Sequence, residues 1–389
     1  MPSRREFLKL AALFTAAGSL PLLQACGQRA EQNPDAPLKI GYLPITDATP
    51  LLVAHAQGLF AKHGVNNVAK PVLFRSWASL VEAFLSGQVN LIHLLSPMSI
   101  WARYGSASPI KVVMWNHMAG SALTVAPDIA NIAGLGGKTV AIPFWYSIHN
   151  VVLQKILREH GLKVVEKNPQ AGEVKLSVMA PSDMVAALAN RAIAGFIVAE
   201  PFNAVAEAKG VGKVLRFSGD VWRDHACCVT LMQEHDIARR PEWVQNVVSA
   251  LVEGQAWAAG HRADTALMLS KQGPHKYTPH EDKVLQNVLA PAPEAWARYT
   301  ESGIIRHPEW HQRRIDFQPY PYPSYTEKLV EMLKETHIAG VNRFLDELSP
   351  QHVAQDLVDA RFVKQAVEQG GFAQLFGLNA WTREEMIAV

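Results

Sequence analysis

The amino-acid sequence predicts an α/β protein of two doubly wound lobes with extra helices towards its C-terminal end. Three observations lead there. Short apolar runs alternate with helical patterns from Leu38 onward, the alternation starts afresh near Thr139, and helical patterns dominate beyond Met232. Strands and helices alternating at this spacing build parallel sheets covered on both faces.

Lobe one opens with an apolar run at 38–42 and a helical pattern at 50–62 that Gly64 stops. A strand at 72–74, a helix at 78–85, a strand at 91–95 and a helix at 98–104 continue it. Runs at 111–114 and 121–125 complete a parallel sheet of about five strands. After a loop at 128–138, strands at 139–143, 175–178 and 195–198 alternate with helices at 148–159, 183–190 and 202–208. The run 227–232 leads back to lobe one, and helices follow at 241–268, 279–289, 325–334 and from 353. The expected lobes are 37–126 with 223–389, and 127–222.

Composition narrows the function. Lys plus Arg is 37 and Asp plus Glu is 35; setting aside residues 1–26, which carry Arg4, Arg5, Lys9 and Glu6, leaves 34 of each. A neutral body does not bind nucleic acid. Of three cysteines, Cys26 lies in the leader and Cys227 and Cys228 are adjacent, so the fold stands without ordinary disulfide staples. The leader itself reads as an address. A short basic segment precedes a largely apolar stretch of 13 residues at 10–22, too short to span a bilayer comfortably. Ser3-Arg-Arg-Glu-Phe-Leu-Lys9 resembles the twin-arginine export consensus, and Leu23-Gln24-Ala25-Cys26 resembles a lipobox, predicting a lipid anchor on Cys26 followed by a polar tether at 27–36. The alternative is a soluble periplasmic protein cleaved elsewhere.

In open parallel sheets ligands sit beyond the carboxyl ends of the strands, where helix N-termini offer free N–H groups. The junctions read as Thr49-Pro50, Ser76-Trp77, Ser96-Pro97, Ser147, Ser182-Asp183 and Glu200-Pro-Phe202, with Thr49, Ser96 and Ser147 expected as N-caps. Capping alone explains each hydroxyl. Trp77, Trp145, Tyr146 and Trp222 add aromatic faces at junctions instead of periodic core positions. His149 reads either as a hydrogen-bonding helix-start residue or as half buried, and His117 as a strand end or a weaker site candidate.

Several strings are refused as motifs. Gly134-Leu-Gly-Gly-Lys-Thr139 is a turn before a strand, since a phosphate loop needs glycine where Ile132 stands and a helix after Thr139. His307-Pro-Glu-Trp-His311 reads as surface loop, because Pro308 argues against a continuous zinc-binding helix. In His225-Ala-Cys-Cys228, a strand would send Cys227 and Cys228 to opposite faces, so at most one reaches a ligand and no metal is expected. No nucleophile elbow or phosphate cradle advertises catalysis.

Lys39-Ile-Gly-Tyr-Leu-Pro-Ile-Thr-Asp-Ala-Thr-Pro50, Ala56-Gln-Gly-Leu-Phe-Ala-Lys-His-Gly64, Leu85-Ser-Gly-Gln-Val89, Leu95-Ser-Pro-Met98, Leu135-Gly-Gly-Lys-Thr-Val-Ala141, Glu200-Pro-Phe202 and Phe317-Gln-Pro-Tyr-Pro-Tyr-Pro323 occur in this order. Together they resemble solute-binding proteins of nitrate-, bicarbonate-, sulfonate- and taurine-type ABC importers, over essentially the whole mature chain. The resemblance implies a type II periplasmic-binding fold whose lobes close on a small molecule about a hinge, with an ABC permease and ATPase as partners, no cofactor and a monomeric state. It also implies a cleft lined by Thr46, Asp47, Ser76, Trp77, Ser96, Trp145, Tyr146, Ser147, His149 and Glu200. The chain departs from a simple oxyanion binder: Arg75 and Arg223 are the basic residues at the expected edge, and Glu200 brings negative charge. A carboxylate among aromatics suits an amine or amino-heterocycle, such as the pyrimidine precursors that some relatives bind, unless Glu200 only braces the fold. An enzyme on the same fold is the other alternative, and the export signal argues against it.

Overall fold

The structure, a computed structural model, describes residues 37–311 and 313–388. The expected leader, tether and Cys26 anchor lie outside the described residues. Thirteen strands occur among those described: β1 (Ile40–Tyr42), β2 (Val72–Leu73), β3 (Leu91–Leu95), β4 (Ile110–Trp115), β5 (Met118–Ala119), β6 (Ser121–Val125), β7 (Lys138–Ile142), β8 (Lys163–Val165), β9 (Glu173–Val178), β10 (Gly195–Ala199), β11 (Lys213–Phe217), β12 (Cys228–Gln233) and β13 (Ile315–Asp316). They form a five-stranded sheet, β2-β1-β3-β12-β4, a six-stranded sheet, β11-β6-β10-β7-β9-β8, and the small pair β13-β5. Two α/β lobes result.

The expected sheet of lobe one needs correction. β6 belongs to the second sheet, where it runs antiparallel to β10 and β11, and its place in the first is taken by β12, antiparallel to β3 and β4. The cause is a sharp redirection at the end of β5, where Ala119 and Gly120 both take positive φ, 55° and 80°. Alternation or an apolar run identifies a strand, but a turn of this kind decides which sheet receives it. The strands β8 and β11, absent from the sequence reading, complete lobe two.

Two crossovers connect the lobes, one between β4 and β6 and one between β11 and β12. They lie side by side: Met118 bridges Ala226, and the Ala119 N–H donates to the His225 carbonyl at 2.9 Å. The β5–β13 pair adds a third segment to this joint.

Helices behave much as the patterns predict. Ile148–Glu159 and Phe202–Ala208 fall on their expected bounds, whereas the long patterns break into Thr49–Ala56 and Leu59–Lys62, and into Pro241–Gly260 and Arg262–Leu269. Gly58, at φ 66°, makes the first break. Pro241–Gly260 packs on Thr49–Ala56; a Cβ on Gly254 would sit 3.0 Å from the Pro50 carbonyl, so the close crossing depends on glycine there. No helix among the described residues is long and apolar enough to cross a membrane.

Candidate functional site

The carboxyl ends of β1 and β3, the N-terminus of Ile148–Glu159 and both crossovers converge on one buried polar cluster. Asp47 sits on the short 3-10 turn Thr46–Ala48 just after β1. Thr46 pins that turn to lobe two, its N–H and Oγ1 both donating to the Glu200 carbonyl at 2.9 and 3.1 Å. His117 follows β4 on the first crossover. Its position is set by Asn116, whose Nδ2 donates to the Asp47 carbonyl at 3.0 Å and whose Oδ1 accepts from Thr230 Oγ1 at 2.6 Å. Gln255 Nε2 donates to the carbonyls of Trp115 and Asn116 at 2.6 and 2.7 Å. Cys227 and Cys228 end the second crossover, held by the Ser96 N–H on the Cys227 carbonyl at 2.9 Å and the Asn116 N–H on the Cys228 carbonyl at 3.1 Å.

The strand argument for the cysteines is overturned. Cys227 lies in a bend before β12, so strict alternation does not apply, and both thiols join the cluster. One ligand atom each from Asp47, His117, Cys227 and Cys228 lies within 4.8 Å of the others, and all four residues are buried. Among the described residues this is the group whose donor types and convergence could hold a metal ion.

Its electrostatics are concentrated. Asp47 Oδ2 and His117 Nε2 are 3.0 Å apart, yet neither Asp47 oxygen nor His117 Nε2 has an aligned hydrogen-bond partner. Burial lowers the His117 pKa, but the Asp47 carboxylate more than reverses this and raises it to about 10. Burial opposes charge on Asp47 too, and His117 with the two thiols still holds it below the ordinary carboxylate range. Burial also works against a Cys227 thiolate; hydrogen bonding from Cys228 and the nearby imidazoles of His149 and His117 nevertheless draw that thiol well below its usual value. Cys228 moves the other way, pushed well up by burial and by Cys227.

A shell of polar groups surrounds the four. His149 Nε2 lies 2.9 Å from Ser121 Oγ and 3.7 Å from Cys227 Sγ, which brings lobe two to the cluster. Tyr325 O–H donates to the Ala226 carbonyl at 2.6 Å, which leaves Ser96 Oγ to donate to the tyrosine oxygen at 2.7 Å. Burial lowers His93 to about 3 and His225 to about 4, so both are neutral; His93 Nε2 accepts from the Leu43 N–H and His225 shares a hydrogen bond with Ser218.

Of the residues expected to line the cleft, Thr46, Asp47, Ser96 and His149 thus meet here. The others find separate partners. Ser76 and Ser147 are N-caps, accepting from the Ser79 and Asn150 N–H groups. Thr49 and Ser96, expected as caps, are instead the first helical residues, and their hydroxyls bond elsewhere. Trp77 meets His93 edge-on at 5.5 Å, while Trp145 meets His337 at 5.6 Å. Tyr146 donates to the Val341 carbonyl at 2.8 Å and lies against Trp101 and Phe344. Trp222 is buried against Tyr325, with its indole N–H on Glu385.

Glu200 belongs to a second centre. Its Oε1 accepts from Arg314 Nε at 2.5 Å and its Oε2 from the Ala204 N–H at 3.2 Å. Arg314 also donates to Glu207 at 3.0 Å and to the Tyr299 hydroxyl at 3.2 Å. No local signal marks Arg314, 114 residues from Glu200, whereas the residue types of His117 and the cysteine pair do signal the first cluster.

Residues 31–270 match the model of the NMT1-like family. The chain belongs to the NMT1-like family. A nitrate/nitrite binding protein NrtA of Nostoc sp. is 25% identical over 263 residues, covering 62% of this chain and 58% of its own length. This NMT1-like chain therefore spans little more than half of that relative. Among solved structures, the periplasmic nitrate-binding protein NrtA of Synechocystis superposes with a TM-score of 0.71 at 17% identity, over 90% of this chain and 93% of that one. A ligand-binding component of an ABC-type import system from Staphylococcus aureus, solved with zinc bound, gives 0.66 at 21% identity, over 85% and 98%. These two likenesses establish the periplasmic-binding fold of this family member.

Proposed function

We propose that the chain is the solute-binding component of an ABC importer, a binding protein that captures a small molecule between its lobes and delivers it to a membrane permease and its ATPase. The observation that carries this reading is the convergence of both lobes and both crossovers on one buried polar cluster, since a group placed there feels every opening and closing of the lobes. The relatives and neighbours named for nitrate, bicarbonate and sulfonate import support the same class without singling out one solute. Glu200 offers no support for a cationic solute, because Arg314 and the Ala204 N–H occupy both of its oxygens. Export through the Arg4-Arg5 segment and lipid anchoring at Cys26 belong to the same reading.

A thermal-shift screen of nitrate, bicarbonate, taurine, sulfonates and aminopyrimidines, followed by small-angle scattering with each binder, tests it. A ligand that raises the melting temperature and reduces the radius of gyration is the expected result. Scattering unchanged by a ligand shown to bind overturns the clamp. Cys26→Ser should release the protein from the membrane fraction, and unchanged fractionation overturns the anchor.

A further inference from the structure

We propose that Asp47, His117, Cys227 and Cys228 form a four-coordinate site for a single zinc-class divalent transition-metal ion, seated where the two crossovers meet lobe one. Donor chemistry points first to this class. Two sulfurs, one imidazole nitrogen and one carboxylate oxygen suit zinc and its first-row neighbours, whereas calcium and magnesium prefer oxygen alone. The spacing agrees: bonds of roughly 2.0–2.3 Å put the donors of a tetrahedral ion about 3.3–3.8 Å apart, and the four atoms here already lie within 4.8 Å of one another.

The hydrogen bonding separates a metal site from a mere ion pair. A buried carboxylate and imidazolium that served only each other would align their hydrogen bond, because unmade bonds in the interior are costly. Here Oδ2 and Nε2 approach to 3.0 Å off the hydrogen-bond line, and both carboxylate oxygens and Nε2 lack an aligned partner although both residues are fully buried. Close approach without an aligned bond leaves room for a third body between the two groups.

The surroundings are those of metal ligands. His117 Nδ1 lies 3.4 Å from the Met118 carbonyl, so the ring is oriented with Nε2 turned inward. Gly120 leaves room for that ring, since a Cβ there would come within 2.9 Å of Nδ1. Asn116 ties the Asp47 turn to β12 through Thr230. His117 comes from one crossover and the cysteines from the end of the other, so the ion cross-links the joint between the lobes. The inference stands independently of import, because the ion is detected with no solute present.

The test uses the purified protein with its thiols kept reduced. Zinc by mass spectrometry should reach one equivalent per chain, and cobalt should give the intense visible bands of a tetrahedral ion together with a thiolate charge-transfer band. Cys227→Ser and Cys228→Ser should each weaken zinc binding, measured by chelator competition, roughly a hundredfold or more and halve the charge-transfer intensity. His307→Ala with His311→Ala, which removes the surface histidine pair, should change nothing. An octahedral cobalt spectrum without charge transfer in the unaltered protein overturns the proposal and requires no variant to fold. So does zinc retained at full affinity by the double serine variant, or lost on removal of the surface pair.

Discussion

Two of the buried ionic centres among the described residues, one around Arg314 and one around Asp47, are built on opposite principles. Around Arg314, every charged group is answered: Glu200 and Glu207 accept from the guanidinium, Ala204 completes Glu200, and Tyr299 bridges to Glu207. Arg314 is held above its ordinary range, its flanking carboxylates outweighing burial, while burial pushes the Glu200 carboxyl up in spite of the arginine. Around Asp47 the charges are just as deeply buried, but the oxygens of Asp47 and Nε2 of His117 are left without aligned partners. The first centre is closed on itself and fastens the segment before β13 to lobe two. The second is open to something else. Unspent hydrogen-bonding capacity in a dry interior distinguishes a site from a brace, and the number of buried charges does not.

The largest effect expected at the brace comes from Arg314→Met. It strands Glu200 in the interior, and the loss should be about 3–5 kcal/mol in denaturant unfolding, with Glu200→Gln recovering part of it in the double variant. A loss under 1 kcal/mol would make the brace no better than a surface pair. The open centre should respond to metal in the opposite sense. Zinc at 100 times its Kd should stabilise the parent by about 2.7 kcal/mol and leave Asp47→Asn nearly unmoved, as read by melting with and without the ion. Equal stabilisation of both would take Asp47 out of the site.

Smaller effects calibrate the scale. Ser147 caps Ile148–Glu159 through the Asn150 N–H, so Ser147→Ala should cost about 1 kcal/mol and leave metal stoichiometry unchanged. The smallest lies at the periphery, where the hydrogen bond from Arg103 Nε, 2.5 Å away, together with Tyr104, holds the half-buried Asp356 below the ordinary carboxylate range despite partial burial. A carboxylate depressed in the folded state lends stability that is complete above its unfolded value of about 3.9 and drains away as pH falls below it. Melting temperatures of the parent and Asp356→Asn should therefore differ at neutral pH and converge on acidification. A constant difference down to pH 2 would remove that tie from the account.

Much of the fold was legible because its signals are local. The runs at 91–95, 148–159 and 202–208 carry their own periodicity and punctuation, and they form the elements expected of them. The site was legible only in part. Asp47, Ser96 and His149 stand at strand ends or helix starts, which topology brings to the cleft. His117 and the cysteines stand on crossovers, where no period predicts orientation. Arg314 comes from a segment whose approach to Glu200 no local pattern records.

Sequence alone determined the two alternating series, the punctuated helices and the residue types at the junctions, because backbone preference and apolar periodicity act over a few neighbouring positions. Tertiary structure decided which sheet β6 joined, that the bend at Cys227 turns both thiols to one side, and that Glu200 is spent on Arg314 while Asp47 is not. Those outcomes depend on where segments separated by scores of residues come to rest, and a buried charge acquires its role only from the partners that packing sets beside it.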